Sequence, residues 1–381
     1  MKPPRIAVIG AGLMGRLTAL ALQELGAELH LYDRGDLDGQ QSAAHVAAGM
    51  LAPASESVSC DNLVVRLGLK AIPLWSELLA TLPQPVFFQQ KGSLVIAHQQ
   101  DRGSLAQFRQ QLSHRRRHFV GLQAIDCDAE AIAQWEPELA GRFTQGLLLP
   151  GEGQLCNRSL LQSTQGAIQS SGIRFHGNWH VYSTDNGYVS AHQTEHKPEP
   201  RHRRDAFNLI IDCRGTGAAI PSLRAVRGEV IRVTADEVRL NRPVRLMHPR
   251  YPLYIVPREN SRYVIGATEI ESQDNGNITV RSALELLSAA YAVHPGFAEA
   301  RIDQMQSHCR PALTDNNPAI RFDNALIEVN GLYRHGFLLA PALLEEIKHS
   351  ATTMLELGAD RALNQRREQS QFAELYHSAR H

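Results

Sequence analysis

The sequence predicts an α/β plus β protein. A Rossmann-like α/β domain is interleaved with a second domain built on a mixed, largely antiparallel β-sheet. Three observations predict this. A strand, glycine turn, helix and strand open the chain at 5–33. A second strand runs into a glycine turn at 208–217, and a third strand–turn–helix unit follows at 326–357. The apolar pattern between them, at 226–268, is β-rich. Parts of one sheet separated by strands of another imply interleaving.

Each element has its reason. Arg5–Ile9 is a short apolar run ending in glycine, the pattern of a buried parallel strand. Residues 13–25 have helical spacing and stop at Gly26. Residues 28–32 alternate into a second strand closed by Asp33. Helices are predicted over 63–82, 105–116, 157–170, 280–292 and from about 342 to 357, and strands over 92–97, 208–212 and 326–329. A hairpin is predicted from 182, with a polar, exposed loop over 192–204 that holds His192, His196 and His202. Those histidines lack tight ligand spacing, so no metal is expected. The basic run 114–118 reads as a solvated helix end.

The composition narrows the function classes. The chain has 381 residues, room for two domains at roughly 100–200 residues each. Lys+Arg and Asp+Glu both number 39, which argues against a polyanion partner such as nucleic acid. Five cysteines without CxxC spacing favour a reducing, cytoplasmic setting over a disulfide framework or zinc site. Arg16 and Glu24 interrupt the N-terminal apolar run, so neither a signal peptide nor a membrane span is expected. No long heptad pattern appears, and a monomer is slightly favoured.

Gly10-Ala11-Gly12-Leu13-Met14-Gly15 is G-x-G-x-x-G between a strand and a helix. The first glycine allows the turn, the second lets backbone approach a pyrophosphate, and the third lets helix and strand pack. Asp33 stands where an acid meets a ribose hydroxyl, which disfavours a 2′-phosphate. These residues predict an ADP-containing dinucleotide and leave NAD and FAD both open.

Further along stand SAAHVAAGMLAP at 42–53, WEPEL at 135–139, DCRG at 212–215, YIVPR at 254–258, VIGAT at 264–268, RP with Thr314 and Asp315 at 310–315, and YRHGFLLAP at 333–341. Together they resemble the D-amino-acid oxidase superfamily, in its glycine oxidase-like branch, over nearly the whole chain. The resemblance implies FAD, bound without a covalent link. It places Gly10, Gly12, Leu13, Met14, Gly15, Asp33, Arg34, Ala47, Ala48, Gly49, Met50, Val181, Cys213, Arg214, Gly215, Arg334, His335, Gly336, Phe337 and Leu338 at the cofactor. It makes Arg310 the carboxylate-binding arginine, Tyr254 a member of the carboxylate cage and Arg334 a second active-site arginine. A helix starting near Pro341 would aim its N-terminus at the flavin.

Two departures bear on the substrate. Pro252 stands where relatives can carry a histidine, with His248 out of register, and Ala43, Ala44 and His45 replace hydroxyl side chains. Cys309 aligns with a flavin-linking cysteine of some sarcosine oxidases, and His45 lies one residue from a histidyl link of dimethylglycine dehydrogenase-like proteins. A buried, inert thiol is the expected state of Cys309.

The expected function is hydride transfer from a small anionic substrate, an amino acid or secondary amine, to FAD, with oxygen or an electron carrier as acceptor. The alternatives are a dehydrogenase of a hydroxy acid or polyol phosphate and a tRNA-modifying flavoprotein. The expected FAD-binding domain spans 1–85, 150–222 and 303–381, and the substrate domain spans 86–149 and 223–302.

Overall fold

The computed structural model describes residues 2–194, 201–248 and 253–379. The expectations for His196 and Pro252 lie outside them. Among the described residues the first sheet has seven strands. Arg5–Ile9 lies parallel between Glu28–Tyr32 and Leu209–Asp212, with Leu326–Asn330 beyond the latter. Alternation divides its residues. Ile6, Val8, Leu29, Leu31, Leu209 and Ile211 pack against helices Leu13–Ala21, Asn62–Ala80, Asn157–Gln169 and Gly336–Leu357. Ala7, Ile9, Tyr32 and Ile210 meet a small three-stranded sheet on the other side.

That small sheet corrects one expectation. Trp179–Ser183, Tyr188–Gln193 and His202–Ala206 pair antiparallel. His180, His192 and His202 are cross-strand partners and not loop residues. The HRRDA run is too polar to read as a strand. Its support comes from the backbone ladder and from contacts such as Arg204 stacked over Tyr188 at 4.3 Å.

The second sheet is the nine-stranded one. Arg224–Thr234 lies inside it, pairing with Arg262–Gly266 on one side and along Arg301–Ala312 on the other. Leu253–Pro257, Val244–Leu246, Ser93–Ile96, Gln145–Leu149 and Ile125–Asp128 continue it. Ile231, Val233, Ile255, Tyr263 and Ile265 form a core with helix Val280–Val293. The opposite face carries Val230, Val256 and Val264 against Val46 and Ala48 of the first unit. The expected boundary at 303 falls inside the strand Arg301–Ala312.

Two further differences concern helices. The first helix is α-helical only over Leu13–Ala21, tightens over Leu22–Leu25, and ends at Gly26 with φ +62°. The C-terminal helix begins at Gly336, well before 342, and contains Pro341. Proline has no N–H for the carbonyl four residues back. Trp75 Nε1 donates to that carbonyl, Phe337 O, at 2.9 Å. Beyond 357, helix Ala359–Gln369 and strand Tyr376–Ser378 were not anticipated. No helix among the described residues is long and apolar enough to cross a membrane.

Candidate active site

One cleft runs from the glycine turn of the first sheet to the inner face of the second. Every predicted site residue lines it except Gly15. Gly15 serves packing: a Cβ there would lie 1.7 Å from Gly10 O. Gly10 has φ +93°, and its Cβ would lie 2.8 Å from Cys213 O, so the two predicted turns meet. A Cβ at Gly12 would meet nothing within 4 Å, which leaves open space over the helix start. No side chain caps this helix and no acid stands in its first turn. Helix Gly336–Leu357 begins in the same cleft, likewise without a side-chain cap or early acid. The cradle therefore fits FAD: two free helix N-termini face it, suited to a pyrophosphate and to an anionic ring.

Asp33 is less free than the motif suggests. Its Oδ2 accepts from Ala11 N at 2.5 Å and its Oδ1 from Gly35 N at 2.8 Å. Arg34 is exposed, and its carbonyl accepts from Thr194 Oγ1. Arg214 pairs with buried Asp212 at 2.5 Å and donates to Val181 O at 2.7 Å, tying the third turn to the small sheet. Arg16, predicted only as a break in an apolar run, is 1% exposed. It donates to the carbonyls of Ala11, Leu161 and Leu37 and so fixes the loop after Asp33. Burial lowers its pKa to about 10.

The 44–50 segment is held from behind. Asn157 Nδ2 donates to Ala44 O at 2.7 Å and His45 O at 2.9 Å. Arg232 Nη2, from the second sheet, lies within 3.4 Å of the carbonyls of His45, Val46 and Ala47. Arg258 donates to Ala48 O. Burial, then repulsion from Arg158 and Arg258, lowers Arg232 to about 9.

Register sets which side chains of the second sheet face the cleft. Arg245 pairs with Tyr254, Tyr254 with Gly266, Gly266 with Val230, and Val230 with Gln306. Paired residues share a face, and Arg310 follows Gln306 at an even step. Arg245, Tyr254 and Arg310 therefore project from the cleft side. The Arg310 guanidinium lies over Gly228, where a Cβ would stand 2.1 Å from Nη2. Among the described residues it donates hydrogen bonds to Thr268 O, at 3.1 and 3.2 Å.

Arg334 departs from the role expected of it. Its Nε lies 2.7 Å from Glu56, its Nη1 2.7 Å from Glu269, and its Nη2 donates to Ser59 Oγ at 2.7 Å. All three nitrogens are engaged, so it braces the wall of the cleft. Burial opposes its charge, but Glu56 and Glu269 outweigh that and raise its pKa. Glu56 also lies 3.6 Å from Arg245. Burial opposes its ionisation too, but Arg334, His335 and Arg245 hold it at about 2. His335 is 3% exposed, and burial lowers it to about 4, so it is neutral at pH 7. Cys309 lines the cleft, but its thiol donates to Ser272 O and Asp274 O, and burial raises its pKa.

Sequence reasoning missed Glu56, Arg245, Gly228 and Glu269 at this end. Glu269 directly follows VIGAT, and that position was the one available signal. WEPEL is not part of the cleft. Its Glu136 is buried and binds Arg242 Nε at 2.8 Å.

Known proteins agree with this architecture. The family model described as FAD dependent oxidoreductase matches residues 5–347. A relative from Rhizobium etli, named as a thiamine biosynthesis oxidoreductase, ThiO, is 40% identical over 353 residues, covering 92% of this chain and 97% of its own. Two solved structures share the fold. Glycine oxidase from Geobacillus kaustophilus has a TM-score of 0.77 at 23% identity, covering 90% of this chain and 94% of its own. Iminodiacetate oxidase from Chelativorans sp. BNC1 has a TM-score of 0.78 at 20% identity, covering 99% of this chain and 100% of its own. With its glycine turns, paired helix N-termini and matched length, the chain belongs to the FAD-dependent oxidoreductase family of D-amino-acid oxidase type.

Proposed function

We propose that the chain oxidises a small amine carrying one carboxylate, a glycine-like amino acid or secondary amine. The observation that carries this is Arg310. It is the cleft guanidinium at the substrate end with no carboxylate in ion-pair range among the described residues, and its fork is turned to the face that Tyr254 shares. A guanidinium held by one carbonyl keeps donors for two parallel bonds to a carboxylate. FAD supplies the two-electron acceptor for the hydride.

The chain's own groups do the rest. Arg310 fixes the carboxylate and with it the position of the carbon bearing the amine. Arg245, Arg310 and Arg334 against Glu56 and Glu269 leave one positive charge in excess beside neutral His335. Pairing of Arg310 with the substrate carboxylate cancels that excess and removes the carboxylate's hold on the ammonium, which favours the uncharged amine, the form able to give up a hydride. The uncapped helix start at Gly336, which opens on the cleft, would favour an anionic reduced flavin bound there. The imine then takes up water and yields an oxo acid with ammonia, or with a primary amine where the substrate is a secondary amine. Oxygen serves as the final acceptor and leaves as hydrogen peroxide. The engaged thiol of Cys309 supports FAD held without a covalent bond. The FAD-binding unit comprises roughly 1–85, 150–222 and 313–381, with the strand Arg301–Ala312 assigned to the substrate unit.

Anaerobic mixing of the holoenzyme with glycine, sarcosine, hydroxy acids and polyol phosphates tests the reading. Bleaching of the flavin by an amine, lost in Arg310→Ala, is the expected result. Bleaching by polyol phosphate or hydroxy acid alone would overturn it.

A further inference from the structure

We propose that Glu56 and Glu269 set the charge of the substrate: the cleft accepts one carboxylate and turns away molecules with a second anionic group. This rests on the amine-carboxylate reading above and sharpens it. Two arginines beside Arg310 would ordinarily invite a second anion. Here both are answered. Arg245, Glu56, Arg334 and Glu269 alternate in sign along the cleft wall, with separations of 3.6, 2.7 and 2.7 Å. The remaining Glu269 oxygen accepts from the Tyr333 hydroxyl.

The Glu269 side chain is 50% exposed and lines the cleft, so its charge meets whatever enters. Glu56 is the more enclosed and is held ionised by the arginines on either side. The wall therefore has no net charge, and Arg310 remains the anion receptor. A second carboxylate would have to displace Glu269 from Arg334 or lie beside it unpaired. Like charges brought together in a partly desolvated site are strongly disfavoured, which is selection by repulsion.

Methoxyacetate and oxydiacetate differ by one carboxylate and carry no amine to oxidise. Each is titrated into the FAD-loaded enzyme and followed by perturbation of the visible flavin spectrum. The monoacid should bind at least about tenfold more tightly. Glu269→Gln keeps the side-chain shape and removes the charge, and should lower the diacid-to-monoacid Kd ratio by about tenfold. The same variant should raise turnover of iminodiacetate relative to sarcosine. Equal binding of the two acids by the unaltered enzyme overturns the proposal, as does an unchanged ratio in Glu269→Gln. Where that variant does not fold, Glu269→Ala and the comparison within the unaltered enzyme decide. Failure of both acids to bind overturns the carboxylate reading itself, a result distinct from equal binding.

Discussion

Gly228 and Arg310 show how the proposed carboxylate receptor depends on a residue with no side chain. The guanidinium occupies the space a Cβ would take. Gly228→Ala should displace it and weaken monocarboxylate binding by about tenfold or more. Spectral titration of the holoenzyme checks this, and undiminished affinity would remove Arg310 from the anion site. Arg310 was legible because its Arg-Pro motif is local. Gly228 was not, because it reads as one residue in an ordinary strand and its partner is Arg310 across the sheet. Arg334 was legible as a cleft residue but not as a braced one. Glu56 and Glu269 are far from it in sequence, and no spacing rule joins them.

Among the elements, the C-terminal helix is the informative case. Proline commonly marks a helix boundary, and on that ground the sequence puts the start near 342. The fold runs the helix through Pro341 because Trp75 replaces the missing donor. Trp75→Phe leaves Phe337 O buried and unpaired, which should cost about 1–3 kcal/mol. Equilibrium denaturation measures it, and an unchanged midpoint would show the carbonyl finds another partner. The helix Pro53–Ser57 and the strand Ser93–Ile96 are joined by Glu152, which is 1% exposed. It accepts from Ser55 N at 2.6 Å, from Ser55 Oγ and from Ser93 Oγ. Burial raises its pKa to about 7 against those bonds and the nearby Arg245 charge. The folded state thus holds a proton that the unfolded state gives up near pH 4.5. That stabilisation is complete below pH 4.5 and is lost as pH rises through about 7. Glu152→Gln should flatten thermal stability against pH between 5 and 8. It should also raise stability at pH 8, on the order of 3 kcal/mol by pKa shift alone. A variant that keeps the slope would show that another group titrates.

For the whole molecule, interleaving was legible because glycine turns and buried strands each announce themselves within a few residues. Gly10, Gly12, the turn at Gly215 and the turn before Gly336 all stand at one cleft, and Gly15 packs behind them. The electrostatics were not legible, because they arise between segments that meet only after both sheets form. Zero net charge concealed a local excess of one cation at the substrate end.

The Arg232 contacts carry a consequence for the order of folding. The loop at 45–47 receives its carbonyl partners from a residue 185–187 positions later. Contacts of that sequence separation form slowly, because a long chain segment must close before they stabilise anything. The N-terminal glycine turn can thus assemble early in synthesis, while the flavin-side wall waits for the strand Arg224–Thr234. Cofactor capture becomes a late event, reserved for a chain whose second sheet is already in place.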